Sequence, residues 1–202
     1  MEVTKYFYKE SDTEPSAYKI HNILDLFTCN IIHEYYKNVG VESEDPAMVN
    51  NISFENGAMT YGKVSDVLGI SILNLITPIV SSILKKEVLP SYSFTRIYEK
   101  GTRLIPHRDR EACEISMSIT LVNAPNMLKE ENFYISENED ETEALKMSLN
   151  TGDALMFFGS THTGNGFYHW RDTTDSDYIA QIFLHWVYAD GEFKDYAYEW
   201  TK

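Results

Sequence analysis

The chain has 202 residues, and its 17 lysines and arginines are outnumbered by 31 aspartates and glutamates, which gives a formal net charge of −14. This length is typical of one domain. A hydrophobic content of 43% with 13% aromatic residues excludes a wholly disordered chain. A strongly negative surface repels phosphate backbones, so nucleic acid is disfavoured as a partner. Composition by itself names no activity.

Cysteine usage and the N-terminus predict a cytoplasmic protein. The two cysteines, Cys29 and Cys113, do not form a Cys-x-x-Cys pair, which is usual in a reducing compartment. No basic segment followed by an apolar run begins the chain, so no secretory signal is expected. The most apolar stretch, 70–84, contains Pro78 and is too short to span a bilayer, so we expect no membrane association. The oligomeric state stays open.

The N-terminal part of the chain is predicted to be largely helical. Apolar residues at helical spacing run through 17–38 and Gly40 follows them, which predicts a first helix. A second helix is predicted for 65–86, where apolar residues cover most of the circumference. The acidic segment between the two, 41–62, is interpreted as irregular. We expect this region, about 17–86, to buttress the rest of the domain.

From residue 91 onward the pattern changes to the alternation of β-strands. Strands are predicted at 92–98, 114–122, 133–135, 154–158 and 178–188, with turns at 100–101 and 150–153 and a solvated acidic hairpin tip at 137–143. Short strands preceded by helices predict a mainly β fold with flanking α-helices, as an antiparallel sandwich or barrel. No repeat or linker divides the chain. We therefore predict one domain over 1–202, with its β core at about 91–190.

One histidine of the six lies in a distinctive neighbourhood. His107 is followed by Asp109, and residues two apart in a strand share a face, so an imidazole and a carboxylate lie side by side. A mononuclear metal needs two such ligands for a facial arrangement. A third ligand, usually a distant histidine, completes the set and leaves positions open for substrate and O₂. A His-x-Asp pair alone often arises by chance, so the surrounding sequence decides whether it indicates a metal site.

The context of His107 resembles a known family. After it come the turn Gly152-Asp153 into an apolar strand, the distal histidines His162 and His169, and the long strand 178–188. This order resembles the Fe(II)- and 2-oxoglutarate-dependent oxygenases, particularly their prolyl-hydroxylase-like branch, and the local motifs look like a microbial or viral subgroup. The resemblance covers about 92–190. It implies a double-stranded β-helix, or jelly roll, buttressed by the N-terminal helices.

The resemblance further implies an iron(II) centre whose distal ligand is His169 or His162. His162 follows Asp153 by nine residues, a proximity that favours it. His169 lies in the segment Phe167-Tyr-His-Trp-Arg, whose aromatic residues are better able to hold a ligand in place. We favour His169. The predicted metal ligands and catalytic residues are therefore His107, Asp109 and His169.

The co-substrate implied by the resemblance is 2-oxoglutarate, and here the sequence departs from the family. The family places an arginine or lysine on the last barrel strand to bind the far carboxylate, but 178–188 contains neither and Gln181 stands near that place. A neutral amide cannot form the charge-assisted pair that a buried carboxylate requires. The residues expected to bind the co-substrate are Arg171 or Arg96 as the cation, with Tyr98, Ser118 and Gln181.

Arginines are also expected to make the pocket electropositive within an acidic protein. The residues that cluster about the proposed centre are Arg96, Arg103, Arg108, Arg110 and Arg171. His185, on the last strand, is interpreted either as a core histidine or as a residue that orders the surroundings of the metal. Cys113 is interpreted as a packing residue rather than a nucleophile.

The reaction implied by the resemblance is hydroxylation of a peptidyl or amino-acid side chain, with use of O₂ and release of succinate and CO₂. A small-molecule substrate also stays open. Two other functions remain as alternatives. A non-catalytic jelly-roll binding module would explain the missing cation on the last strand. A cupin-like metalloenzyme without a keto-acid co-substrate fits less well, because such sites have more closely clustered histidines.

Overall fold

The structure, a computed structural model, describes residues 1–10, 12, 14–39, 41–47, 49–123, 132–159 and 166–202. The α-helices in these residues are α1 (Leu26–Val39) and α2 (Val67–Leu84). The strands of the N-terminal half are β1 (Glu2–Tyr6), β2 (Ala17–His21), β3 (Glu42–Ser43), β4 (Ile52–Phe54), β5 (Thr60–Val64), β6 (Val88–Glu99) and β7 (Thr102–Leu104). Those of the C-terminal half are β8 (Ile115–Asn123), β9 (Asn132–Ser136), β10 (Leu145–Ser148), β11 (Ala154–Phe157), β12 (Tyr168–Arg171) and β13 (Tyr178–Tyr188).

Antiparallel pairing joins the strands into one large and two small sheets. The eight-stranded sheet has the order β1-β2-β11-β8-β13-β6-β5-β3, and the three-stranded sheet has the order β10-β9-β12. The strands β4 and β7 form a separate pair. A mainly β architecture with two helices is therefore confirmed.

Two apolar cores lie on the two faces of the large sheet. On β8, alternate residues such as Met117 and Ile119 point toward the helices, where Leu73 and Ile76 of α2 belong to the same core. The second core lies between the large and the three-stranded sheets and includes Phe133 of β9. The polar residues of β8 point into this inter-sheet space, because successive side chains of a strand point to opposite faces. The interior between the sheets is therefore partly polar.

Helix α2 packs against β6 and β13 of the large sheet. Asp66 caps its N-terminus by accepting a hydrogen bond from the backbone N–H of Gly69 at 2.9 Å. The indole N–H of Trp186, from β13, donates to Thr77 in the middle of the helix at 2.8 Å. By length and composition alone α2 would also suit a membrane span, a test that the core helix of a globular domain passes as well.

The structure corrects the prediction for the N-terminal region. Residues 17–21, predicted as the start of a helix, form β2, and α1 begins at Leu26. The segment 41–62, predicted to be irregular, contains β3, β4 and the start of β5. The region expected to be a helical buttress therefore supplies strands to the sheets as well as two helices.

Candidate metal centre

Three chain segments meet where His107, Asp109 and His169 lie. His107 and His169 face each other across an isolated antiparallel bridge, with N–O distances of 3.3 and 2.9 Å between their backbones. The backbone N–H of Asp109 donates to the carbonyl of Gly159, just after β11, at 2.7 Å. Backbone pairing therefore fixes the positions of all three residues before any side-chain contact is considered.

The three side chains point at one another. The Asp109 Oδ1 atom lies 3.8 Å from Nε2 of His107 and 3.5 Å from Nε2 of His169. Each histidine donates its other ring N–H to a backbone carbonyl: Nδ1 of His107 to Ile105 at 2.8 Å, and Nδ1 of His169 to Phe167 at 3.4 Å. With the ring proton on Nδ1, Nε2 of each histidine is unprotonated and available to bind a metal beside the carboxylate.

The donor set suits a divalent transition metal. One ligand atom from each of the three residues lies within 4.8 Å of the others. Burial, and then the nearby His107 ring, lower the pKa of His169 well below its usual value, so its imidazole is neutral at neutral pH and can bind a cation. Two neutral imidazoles and one carboxylate on one side of a metal form the facial set that leaves other positions open. The residues present therefore fit iron(II).

A cavity of about 230 Å³ opens beside this group. Its walls are Asn51, Tyr92, Phe94, Arg96, Tyr98, Leu104, His107, Asp109, Ser116, Phe157, His169, Phe183 and His185. The side-chain nitrogen of Asn51 lies 3.2 Å from Nε2 of His107, on the cavity side of the ring. An aromatic cavity with a few convergent polar groups is what a small-molecule site requires.

Several solved structures with a similar architecture are described as 2-oxoglutarate-dependent enzymes or prolyl hydroxylases. The epimerase SnoN of nogalamycin biosynthesis, a non-heme α-ketoglutarate-dependent enzyme, aligns with a TM-score of 0.63 at 11% identity over 86% of this chain and 79% of that chain. The viral collagen prolyl hydroxylase of Paramecium bursaria Chlorella virus-1, in complex with 2-oxoglutarate, aligns with a TM-score of 0.61 at 11% identity over 85% and 95%. The Pseudomonas putida prolyl-4-hydroxylase aligns with a TM-score of 0.60 at 10% identity over 84% and 92%. No family model and no curated protein matches the sequence.

The chain has the fold of the Fe(II)- and 2-oxoglutarate-dependent oxygenases. The resemblance drawn from the sequence is therefore confirmed for the fold. Activity is a separate question, because one fold hosts many functions.

Polar groups lie deeper in this oxygenase fold, beyond the three candidate ligands. The hydroxyls of Tyr98 and Ser118 and the amide oxygen of Gln181 are buried and make no hydrogen bond within the described residues. Gln181 is buried and lines a small cavity together with Thr120 and Arg171. Buried polar atoms without partners are costly, so these positions suit a polar ligand.

The two candidate cations differ in their surroundings. The Arg96 guanidinium lies in the wall of the metal cavity, but it donates from Nε and Nη2 to the two oxygens of Glu44, both at 2.7 Å. Arg171 is 1% exposed, and its guanidinium carbon lies 4.0 Å from the ring centroid of Tyr98. Arg171 also shares a strand face with His169, two residues away, which is about 7 Å along the strand.

The Gly152-Asp153 turn, part of the resemblance, serves the fold. Gly152 has a φ of +87°, and a Cβ there would lie 2.3 Å from the carbonyl oxygen of Leu24. The Asp153 carboxylate accepts the backbone N–H of Asn22 at 3.1 Å and lies 3.1 Å from Nζ of the buried Lys19. This turn connects β11 to β2 and the residues after it, and it does not line the metal cavity. The alternative distal ligand, His162, lies outside the described residues.

A second group of potential ligands, Asp109, Cys113 and His185, lies against the first. Its atoms are engaged with neighbours: Tyr92 lies 3.1 Å from the Cys113 sulfur, and Ser116 lies within hydrogen-bond distance of both Asp109 and His185. Burial raises the pKa of the Cys113 thiol well above its usual value, which disfavours the thiolate that metals bind. We interpret this group as a hydrogen-bonded support.

Sequence reasoning missed several residues of the site. Ser116 lies on the polar face of a predicted strand, so strand alternation could have indicated it. Gly159 directly follows a predicted apolar strand, with no motif to mark it. Asn51 and Glu44 come from the segment interpreted as irregular. No local signal indicates that Asn51 lines the cavity or that Glu44 pairs with Arg96.

Proposed function

We propose that the protein is an Fe(II)- and 2-oxoglutarate-dependent oxygenase whose metal ligands are His107, Asp109 and His169. The observation that carries this proposal is the convergence of two Nε2 atoms and one carboxylate oxygen in the wall of a cavity. The fold shared with such oxygenases supports the same reaction class. The metal and 2-oxoglutarate would together supply O₂ activation, with succinate, CO₂ and a hydroxylated substrate as products.

The chain's own residues would bind the co-substrate between the two sheets. Its keto-acid end would lie at the three ligands, and its far carboxylate would meet Arg171, about 7 Å along β12 from His169. The hydroxyls of Tyr98 and Ser118, buried without partners in the described residues, would donate hydrogen bonds to it. Arg171 is preferred over Arg96 because it shares the strand face of His169. The aromatic residues in the cavity wall would limit the contact of water with the reacting atoms.

The substrate we propose is an amino-acid side chain carried on a peptide. The metal cavity, at about 230 Å³, is below the usual size of a ligand pocket and must also hold the co-substrate. A more open groove of about 420 Å³ adjoins it, and the two share Tyr92 and Phe94 as walls. Val64 and Trp200 extend this groove outward. A substrate that projects one side chain inward and rests the remainder in the groove fits both spaces.

The test is turnover by protein purified without O₂ and loaded with iron(II). We expect O₂-dependent release of succinate from 2-oxoglutarate, stimulated more by some peptides of a panel than by free amino acids. The His107→Ala/Asp109→Ala variant should lose both iron and turnover. The matched control is His21→Ala, which removes a histidine of β2 that is hydrogen-bonded to Thr4 instead of lining the cavity.

Two results would contradict the proposal. If the wild type neither binds iron nor binds 2-oxoglutarate, the protein is better explained as a binding module on the same fold. If the double variant retains the iron content of His21→Ala, the metal lies elsewhere. Separate His169→Ala and His162→Ala variants then decide the distal ligand, and we expect only the first to lose iron.

A further inference from the structure

The Asp109 carboxylate is supported on the side away from the two histidines. We infer that Ser116, oriented by His185, and the bare backbone of Gly159 are positioning elements that present only one oxygen of Asp109 to the metal. This inference rests on the proposed function, in which Asp109 is a metal ligand. It adds residues that neither touch the metal nor belong to the candidate triad.

The two oxygens of Asp109 have different neighbours. Oδ1 is the atom that lies near the Nε2 atoms of His107 and His169, at 3.8 and 3.5 Å. Oδ2 accepts a hydrogen bond from the hydroxyl of Ser116 at 2.7 Å. That hydroxyl also lies 3.4 Å from the carbonyl oxygen of Cys113, a longer and weaker contact. Ser116 therefore occupies Oδ2 and leaves Oδ1 for a cation.

His185 in turn orients the Ser116 hydroxyl. Nδ1 of His185 lies 3.1 Å from Oγ of Ser116, and a serine has one proton, which goes to Asp109. Nδ1 must therefore carry a hydrogen and donate it. The ring of Tyr92, stacked at 4.4 Å between centroids, holds the imidazole in this orientation.

Gly159 closes the support from the third side. Its carbonyl accepts the backbone N–H of Asp109, and a Cβ at this position would lie 2.4 Å from Oδ2 of Asp109 and 2.8 Å from Oγ of Ser116. The backbone of Gly159 lies directly against the hydrogen bond between Ser116 and Asp109, so a side chain at this position does not fit. Asp109 is thus held by the hydroxyl of Ser116, which His185 orients, and by the adjacent backbone of Gly159.

This support of Asp109 affects how many coordination positions stay open at the metal. A carboxylate that used both oxygens would take up a position that the facial set leaves for co-substrate and O₂. A hydrogen bond to Oδ2 opposes that binding mode. Outer partners of metal ligands typically contribute about 10- to 100-fold in metal affinity.

The experiment is a titration of metal-free protein with cobalt(II), followed by visible absorption. We expect Ser116→Ala and His185→Phe to bind cobalt(II) about 10- to 100-fold more weakly than the wild type and to show an altered absorption spectrum. His185→Asn, whose amide N–H reaches the place of Nδ1, should restore most of the affinity. The control is Ser91→Ala, because this equally buried serine donates to the carbonyl of Tyr196 instead of contacting the site.

The outcomes separate this inference from the proposed function. If the wild type does not bind cobalt(II), or if His107→Ala binds it equally well, the proposed function fails and this inference fails with it. If His107→Ala abolishes binding but Ser116→Ala matches Ser91→Ala in affinity and spectrum, this inference alone is wrong. Equal weakening by His185→Asn and His185→Phe would remove His185 from the support.

Discussion

Replacement of Arg171 by methionine tests how a fold without a cation on its last strand would bind a dicarboxylate. Arg171 is 1% exposed, lies on the same strand face as His169 and contacts the ring of Tyr98. Removal of one partner from a buried charge pair costs about 2–5 kcal/mol. Because about 1.4 kcal/mol is a factor of ten, we expect Arg171→Met to raise the dissociation constant of 2-oxoglutarate by about 30-fold to several thousand-fold.

The assay is equilibrium binding of 2-oxoglutarate to the metal-loaded protein without O₂. The control is Arg96→Met/Glu44→Met, which removes both members of the other buried pair and so leaves no unpaired charge. We expect this control to change the dissociation constant by less than about threefold. Gln181→Lys, added to Arg171→Met, should recover part of the affinity because it places a cation in the same small cavity.

The reasoning is refuted if Arg171→Met binds 2-oxoglutarate as well as the wild type while the Arg96 control loses it. Arg96 would then exchange Glu44 for the co-substrate. Circular dichroism is needed beside the binding data, because a buried arginine also contributes to folding. A variant with the wild-type spectrum and weakened binding supports the assignment.

Three further predictions follow from single contacts. Gly159→Ala should weaken metal binding by about 10- to 100-fold, because its Cβ would lie 2.4 Å from Oδ2 of Asp109. Unchanged affinity in a cobalt(II) titration would contradict this expectation. Burial lowers the pKa of His33, so the unfolded chain binds the proton more tightly and the free energy of unfolding falls as pH drops below about 6.5. Urea unfolding between pH 7 and pH 5 should show a shallower pH dependence for His33→Gln than for the wild type. An unchanged slope would exclude His33 as a source of the pH dependence. Trp186→Phe loses the hydrogen bond to Thr77 and buried volume, so the free energy of unfolding should fall by about 1–3 kcal/mol, and a value near zero would show that the core refills.

The charge around the candidate metal centre could not be predicted from the sequence. The arginines near the centre predicted an electropositive pocket, yet three of them meet carboxylates in the folded chain. The pairs are Arg96 with Glu44, Arg103 with Glu141 and Arg110 with Glu199. Each glutamate is distant in sequence from its arginine, so spacing along the chain could not reveal the neutralisation.

The strand β2 shows why one prediction was wrong. Ala17, Tyr18 and Ile20 fit the apolar stripe of a helix, but these residues are buried because β2 lies between β1 and β11 in the large sheet. An inner strand is covered on both faces and at both edges, so its apolar residues lose the strict alternation that identifies an exposed strand. The partners of β2 decided its conformation, and one partner is more than 100 residues away.

Local order along the chain determined the mainly β class, the second helix, and the pairing of His107 with Asp109 on one face, because each depends on residues a few positions apart. The choice of distal histidine was only favoured by the sequence, and the structure brings His169 to the pair through a backbone bridge. The support of Asp109 by Ser116 and Gly159, and the place of Arg171 behind Tyr98, were decided by tertiary structure alone. Arg171 and Tyr98 lie on strands of two different sheets, and Asp109 meets Ser116 and Gly159 from a segment outside the strands. Only the packing of the domain fixes which of these side chains meet.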